Sequence, residues 1–249
     1  VAAALKLQKP SGRRHAARFL AEGPNLVEAA LRRGLVEEVY VTEAALERFA
    51  ALLDGVSVQL VTERAAKALS DTVTPVGLVA VCRLPSVSLA DVLQGSPRLV
   101  AVAVETSDPG NAGTLIRLAD AMGASALVLA GNSVDPYNPK CLRSSAGSIF
   151  SIPVVEAPDT LGLINDLVGA ELVVMATTLD GERSLDDVDL GVPTAWLFGS
   201  EAHGLPVEVA AAADVRVSIP MSGGAESLNV AAAAAICLYQ SAAAHRAAQ

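Results

Sequence analysis

From residue 99 onward the chain sets short, unbroken apolar runs at regular intervals: L-V-A-V-A-V-E at 99–105, A-L-V-L-A at 126–130 and I-P-V-V at 152–155. L-V-V-M-A at 172–176, T-A-W-L-F at 194–198 and V-R-V-S-I at 215–219 continue the series. Runs that are apolar at nearly every position predict strands covered on both faces, as in a parallel sheet. Helical spacing intervenes at 111–122, 139–147, 159–168, 206–212 and 226–244. Before residue 82 the elements are shorter. R-F-L-A-E-G predicts a strand ending at Gly23, and a helix follows with Pro24 near its start and Gly34 as its stop. Strands are expected at 36–42, 56–61 and 76–81, and helices at 43–53 and 62–69. Residues 84–98 hold Pro85, Gly95 and Pro97 and predict a linker, which puts a boundary near residue 97. The expectation is α/β in two parts: a small module over 1–97 and a larger parallel-sheet domain over 98–249. No internal repeat occurs.

Composition agrees with a packed core. Apolar residues make up 52% of the 249, and charged residues only 18%. Much of the apolar share is alanine, which buries little area per residue. The opening V-A-A-A-L-K-L-Q-K-P has too short an apolar run for a signal peptide, and no run approaches the roughly 18 apolar residues of a membrane span. The chain does not begin with Met, and a trimmed start is expected. Cys82, Cys141 and Cys237 are scattered without metal-ligand spacing, and are expected to be reduced core thiols of a cytoplasmic protein.

Charge is unevenly placed. The net charge of −9 argues against a general nucleic-acid binder. Residues 1–98 nevertheless carry 12 Lys or Arg against 10 Asp or Glu, whereas residues 99–249 carry 6 against 17. The basic excess lies at the start, in Lys6, Lys9, Arg13, Arg14, Arg18, Arg32 and Arg33. Two readings stand side by side: a solvated arm, or an arm that contacts phosphates and gains from counterion release.

Three segments could carry chemistry, each where a strand gives way to a loop and a helix. In E-T-S-D-P-G-N-A-G-T-L-I-R, Pro109 and Gly110 are expected to end a strand and Asn111 to cap a helix. Gly113 would admit a close backbone, with Arg117 about one turn further along. A capped helix with a surface arginine is the plain alternative. In L-F-G-S-E-A-H-G-L, two glycines bracket Glu201 after a buried strand, at the sheet edge where open α/β sheets bind ligands. A tight turn with a solvated glutamate is the alternative, and His203 has no orienting acid beside it. In I-P-M-S-G-G-A-E-S-L-N-V-A-A-A-A-A, Ser227 is placed to cap a helix beginning near Leu228, with Asn229 in its first turn. The plain alternative here is an ordinary Ala-rich helix. No phosphate-loop or dinucleotide glycine fingerprint follows any strand, which disfavours an unrelated nucleotide-dependent enzyme.

The order and spacing of these segments resemble the SpoU (TrmH) family of SPOUT-class RNA 2'-O-ribose methyltransferases. Asn111, Gly113 and Arg117 match its first motif, and Gly199, Glu201 and Gly204 its second. Ile219, Pro220, Met221, Ser227, Leu228, Asn229 and Val230 match its third. The likeness covers about residues 99–244, and residues 18–81 are similar to the family's rRNA-type substrate-binding domain. The resemblance implies a carboxyl-terminal trefoil-knotted domain, with a parallel sheet flanked by helices, and a cytoplasmic homodimer in which both chains shape each site. It implies S-adenosylmethionine as cofactor, near Thr177, Leu197, Gly199, Ile219, Met221 and Leu228, and no metal. It implies RNA as substrate, ribosomal RNA ahead of tRNA, with Arg13, Arg14 and Arg18 as RNA contacts. Arg117 would orient the 2'-oxygen and an adjacent phosphate. Asn111, Ser227 and Asn229 would position substrate and loops, and Glu201 would anchor Arg117 or a partner-subunit residue. An RNA-binding protein of the same fold without catalysis is the alternative, opposed by an intact Arg117 and Asn229.

Overall fold

The computed structural model describes residues 1–248. Its chain opens with α1 (Ala2–Leu5), a 3-10 turn (Lys6–Gln8) and α2 (Pro10–Ala16). The expected basic arm is therefore ordered helix, with Pro10 at the first helical position, where its fixed φ suits the start. Then come β1 (Arg18–Glu22), α3 (Pro24–Arg32), β2 (Val36–Val41), α4 (Glu43–Arg48), β3 (Gln59–Leu60), α5 (Glu63–Leu69) and β4 (Leu78–Arg83). They form a four-stranded sheet of order β1-β4-β2-β3, in which β4 runs antiparallel to both β1 and β2.

Two expectations here are corrected. The helix expected over 43–53 ends at Arg48; Phe49–Leu53 continue as turns, and Leu53 is still buried. The strand expected over 56–61 pairs only at Gln59–Leu60.

The stretch expected to be a linker holds α6 (Leu89–Gln94). Ser88 accepts from the Asp91 N–H while the Asp91 carboxylate accepts from the Ser88 N–H, a reciprocal cap that starts the helix despite flanking Pro85 and Gly95.

The larger sheet contains β5 (Leu99–Val104), β6 (Ala126–Ala130), β7 (Val154–Ala157), β8 (Val173–Thr177), β9 (Arg183–Ser184), β10 (Thr194–Phe198) and β11 (Val215–Ser218). Its order is β7-β6-β5-β10-β8-β11-β9, and each described pairing is parallel. The interleaved helices are α7 (Pro109–Ala121), α8 (Pro139–Ser145), α9 (Thr160–Gly169), α10 (Val207–Ala212) and α11 (Val230–Ala247).

β5, β6 and β10 are buried at every position because each face carries its own layer. Leu99, Ala101 and Ala103 join Leu115 and Ile116 of α7 and Leu238 of α11 on one face. Val100, Val102 and Val104 join Ile164 and Leu167 of α9 and Val209 of α10 on the other. The first of these cores is continuous with the small sheet through Phe19 of β1, whose ring lies 4.7 Å from that of Tyr137 and 6.0 Å from that of Phe150.

α11 is seated on β10. The Trp196 indole N–H donates to Ser241 Oγ at 2.8 Å, and Ala234, Cys237, Leu238 and Ser241 bury one helical face. The three cysteines are free and buried, as expected, and burial pushes each thiol up to about 12.

Candidate active site at the carboxyl edge of the large sheet

Parallel strands deliver all their carboxyl ends to one edge, so the loops after β5, β8, β10 and β11 meet there. The β10 loop is the most constrained. Ser200 and Gly204 exchange backbone hydrogen bonds at 3.1 and 2.9 Å, and Gly204 has φ +67°. The loop doubles back so closely that a Cβ on Gly199 would lie 2.1 Å from the Gly204 carbonyl carbon and 2.3 Å from the Leu205 nitrogen. Gly199 is thus required by the loop's own backbone, before any ligand is considered.

Two cavities flank this loop. The larger, of about 660 Å³, lies between the ends of β8, β10 and β11 and is lined by Thr177, Gly199, Ile219, Met221, Ser227 and Leu228 among others. Its size is that of a small-molecule site. Leu179, Val207, Met221 and Leu228 line it and stay partly exposed, from 37% to 83%. Thr178, also in the wall, has a buried hydroxyl with no hydrogen-bond partner. The Thr177 hydroxyl donates to the Leu197 carbonyl at 2.9 Å, tying the ends of β8 and β10. The Leu197 side chain is fully buried and does not line the cavity, and its carbonyl stands at the end of β10 beside Thr177.

The smaller cavity, of about 380 Å³, is lined by Glu105, Thr106, Asp108, Asn111, Asn132 and the β10 loop with Glu201 and His203. It is the more polar of the two, and the buried Thr106 hydroxyl in its wall also lacks a partner. Ser200, Glu201, Ala202, His203 and Val230 line both cavities, so the β10 loop and the start of α11 form the wall between them.

Helix starts differ from expectation in a consistent way. Asp108, not Asn111, caps α7: its carboxylate accepts from the Asn111 N–H at 2.9 Å and pairs with Lys140 of α8 at 2.6 Å. The Lys140 ammonium and the Asn111 N–H hold the Asp108 carboxyl below its ordinary range. Pro109 and Gly110 begin α7 rather than ending β5. Asn229, not Ser227, caps α11, accepting from the Ala231 and Ala232 N–H groups at 2.9 and 3.3 Å. Its amide N–H donates to the Glu201 carboxylate, so one asparagine ties the last helix to the β10 loop. Glu201 therefore binds Asn229, and it does not anchor Arg117 within the chain.

Gly113 does admit a close neighbour, since a Cβ there would meet the Cys141 carbonyl at 2.4 Å and Ser144 Oγ at 1.9 Å on α8. Arg117, one turn on, is exposed, lines neither cavity, and has no ion pair or hydrogen bond among the described residues.

The three basic residues expected to grip RNA divide. Arg14 is exposed. Arg18 pairs with Glu37 at 2.6 Å. Arg13 is 2% exposed and spends its guanidinium inside the protein, which removes it from RNA contact. Lys6 and Lys9 stay exposed beside Arg14.

Residues 98–239 match the SpoU rRNA Methylase family, and residues 1–80 match the MRM3-like substrate binding domain. The chain is 36% identical over 223 residues to a 23S rRNA (guanosine(2553)-2'-O)-methyltransferase of Bacillus subtilis (strain 168), covering 89% of this chain and 87% of that protein. It is 39% identical over 172 residues to a 23S rRNA (uridine(2479)-2'-O)-methyltransferase of Streptomyces viridochromogenes, covering 67% of this chain and 60% of that protein. The crystal structure of the SpoU methyltransferase AviRb from Streptomyces viridochromogenes in complex with the cofactor AdoMet superposes with a TM-score of 0.88 at 32% identity, covering 99% of this chain and 97% of that one.

Proposed function

The chain belongs to the SpoU rRNA methylase family, and we propose on that footing how its own residues carry out S-adenosylmethionine-dependent methylation of a ribose 2'-hydroxyl in ribosomal RNA. The observation that carries the assignment of parts is the pair of cavities sharing one wall: a mostly apolar cavity beside a polar one.

The larger cavity fits the cofactor. Met221, Leu228 and Leu179 offer apolar cover for an adenine face, and the orphaned Thr178 hydroxyl offers one hydrogen bond. When bound, the sulfonium supplies an activated methyl group. Transfer would exchange that methyl's bond to sulfur for one to the 2'-oxygen, leaving the neutral thioether and passing the hydroxyl proton to water; the part of this chain's residues is to hold the acceptor in line. Asn111 in the smaller cavity holds the ribose side of the acceptor, and Asn229 and Glu201 keep the dividing wall in place. Ser227 lies on the cofactor side of that wall.

Arg117 serves by charge and geometry, its planar fork of donors orienting the 2'-oxygen and its neighbouring phosphate. Because Arg117 lies outside both cavities of its own chain, it serves the site of a second copy, and the working form is a homodimer. Exposed Ile236 and Tyr239 on α11 support such a face. The family's trefoil knot is proposed for the carboxyl-terminal part of this sheet. The division between RNA-binding module and methyltransferase domain is put near residue 97, with the exposed Lys6, Lys9 and Arg14 among the module's bases that would contact phosphates.

The test is direct. S-adenosylmethionine binding is measured by calorimetry, and 2'-O-methyl sites are mapped by mass spectrometry on rRNA and tRNA from cells with and without the gene. Loss of an rRNA site without the gene is expected. A site lost only in tRNA would overturn the substrate assignment.

A further inference from the structure

Arg13 is among the largest fully buried side chains, although it sits seven residues into a basic stretch. Its Nε and one terminal nitrogen both donate to Asp135 Oδ2, at 2.8 and 2.5 Å. Its other terminal nitrogen donates to the Leu7 and Gln8 carbonyls at 2.9 and 3.0 Å. The second oxygen of Asp135 accepts from the Tyr137 N–H at 2.8 Å. Gly12 seats α2 for this contact, since any Cβ there would strike the Lys6 carbonyl at 1.9 Å. Arg13 belongs to the amino-terminal module, and Asp135 to the segment that leads from β6 into α8.

That segment is in turn locked to the catalytic helix. Lys140 of α8 pairs with Asp108, the cap of α7, and Gly113 of α7 sits against the Cys141 carbonyl. A guanidinium fork whose donors meet acceptors on both sides fixes one relative orientation, whereas the Phe19–Tyr137 ring contact beside it tolerates sliding. Buried ion pairs are a poor means of gaining stability and are best attested where they fix register.

We propose that the Arg13–Asp135 pair is a positioning latch for methyl transfer. It sets the angle of the amino-terminal module against α8, and through α8 the place at which RNA held by that module meets Asn111 at the start of α7. The proposal rests on the reading of residues 1–97 as the RNA grip. Arg13 and Asp135 are positioning residues; neither touches substrate.

The experiment uses the full chain and the mapped rRNA fragment. Arg13→Leu/Asp135→Asn removes both charges, so no lone buried charge is left, and Arg13→Lys keeps the charge but loses the fork. In both variants, cofactor and RNA dissociation constants should stay within about threefold of wild type while the single-turnover rate falls about tenfold or more. Hydrogen exchange over residues 10–22 and 135–150, measured without RNA, should quicken.

A rate within about twofold of wild type would overturn the latch, whether or not exchange quickens. RNA affinity lost in step with the rate would overturn it too, by placing Arg13 on the RNA. If the double variant does not fold, the same criteria apply to Arg13→Lys. A wild-type protein that transfers no methyl to rRNA would instead sink the activity, which is distinguishable because no variant is then needed.

Discussion

At the scale of single residues, the motif side chains separate into those that act on ligands and those that hold the loops which do. Gly199 is of the second kind, because the clash it avoids is with the backbone of its own loop. Gly199→Ala should open the β10 loop at an overpacking cost of about 1–3 kcal/mol, weakening S-adenosylmethionine binding about tenfold or more in calorimetry. An unchanged dissociation constant would detach this loop from the cofactor. Arg117, exposed and unpaired among the described residues, is the one proposed to act on the substrate. Arg117→Ala should leave folding and cofactor affinity intact and lower single-turnover methyl transfer by about 100-fold or more. Arg117→Lys should recover little, because a lysine cannot hold a phosphate and a hydroxyl in one plane. Near wild-type turnover by Arg117→Ala would return this residue to the helix surface.

At the scale of elements, α7 and α8 form the unit that places the first motif. Gly113→Ala would drive a methyl group into the Cys141 carbonyl and should destabilise the protein by about 1–3 kcal/mol, read from the denaturant midpoint. The cap of α7 also carries a pH dependence. The Lys140 ammonium and the Asn111 N–H lower the Asp108 carboxyl in the folded state. Its contribution is therefore present above the unfolded value of about 4 and is lost as pH falls through the lower folded value. Asp108→Asn keeps a good cap but cannot titrate. Its stability should match wild type to within about 1 kcal/mol at neutral pH, because the Lys140 pair is exposed, and should fall less steeply on acidification below about pH 4. Identical acid limbs in thermal melts would mean the cap is electrostatically idle.

At the scale of the whole molecule, the small module and the large domain share one continuous core, with Phe19 against Tyr137 and Phe150. A fragment beginning near residue 98 would bare that face and strip Asp135 of its partner, so RNA binding is better dissected in the full chain. Lys9→Glu/Arg14→Glu should weaken RNA binding and flatten its dependence on salt, since each lost phosphate contact lowers the slope by about 0.7–0.9. A slope equal to wild type would leave both as ordinary solvated residues. The buried parallel strands are legible in the sequence alone, because unbroken apolar runs as short as 99–104 and 126–130 fit a strand covered on both faces and are too short for a buried helix of ordinary length. It also determined the family, through three polar and glycine motifs whose spacing is local. It did not reveal α6, although the Ser88 and Asp91 cap was present, because proline and glycine around it signal a loop equally well. Nor could it tell which polar residue caps a helix when Asp108 and Asn111, or Ser227 and Asn229, both offer the right chemistry within two or three residues. Only the tertiary structure decided those, and with them the fate of Arg13. A basic residue in a basic stretch is surface-bound by every local measure, until a carboxylate 122 residues away takes its charge into the interior.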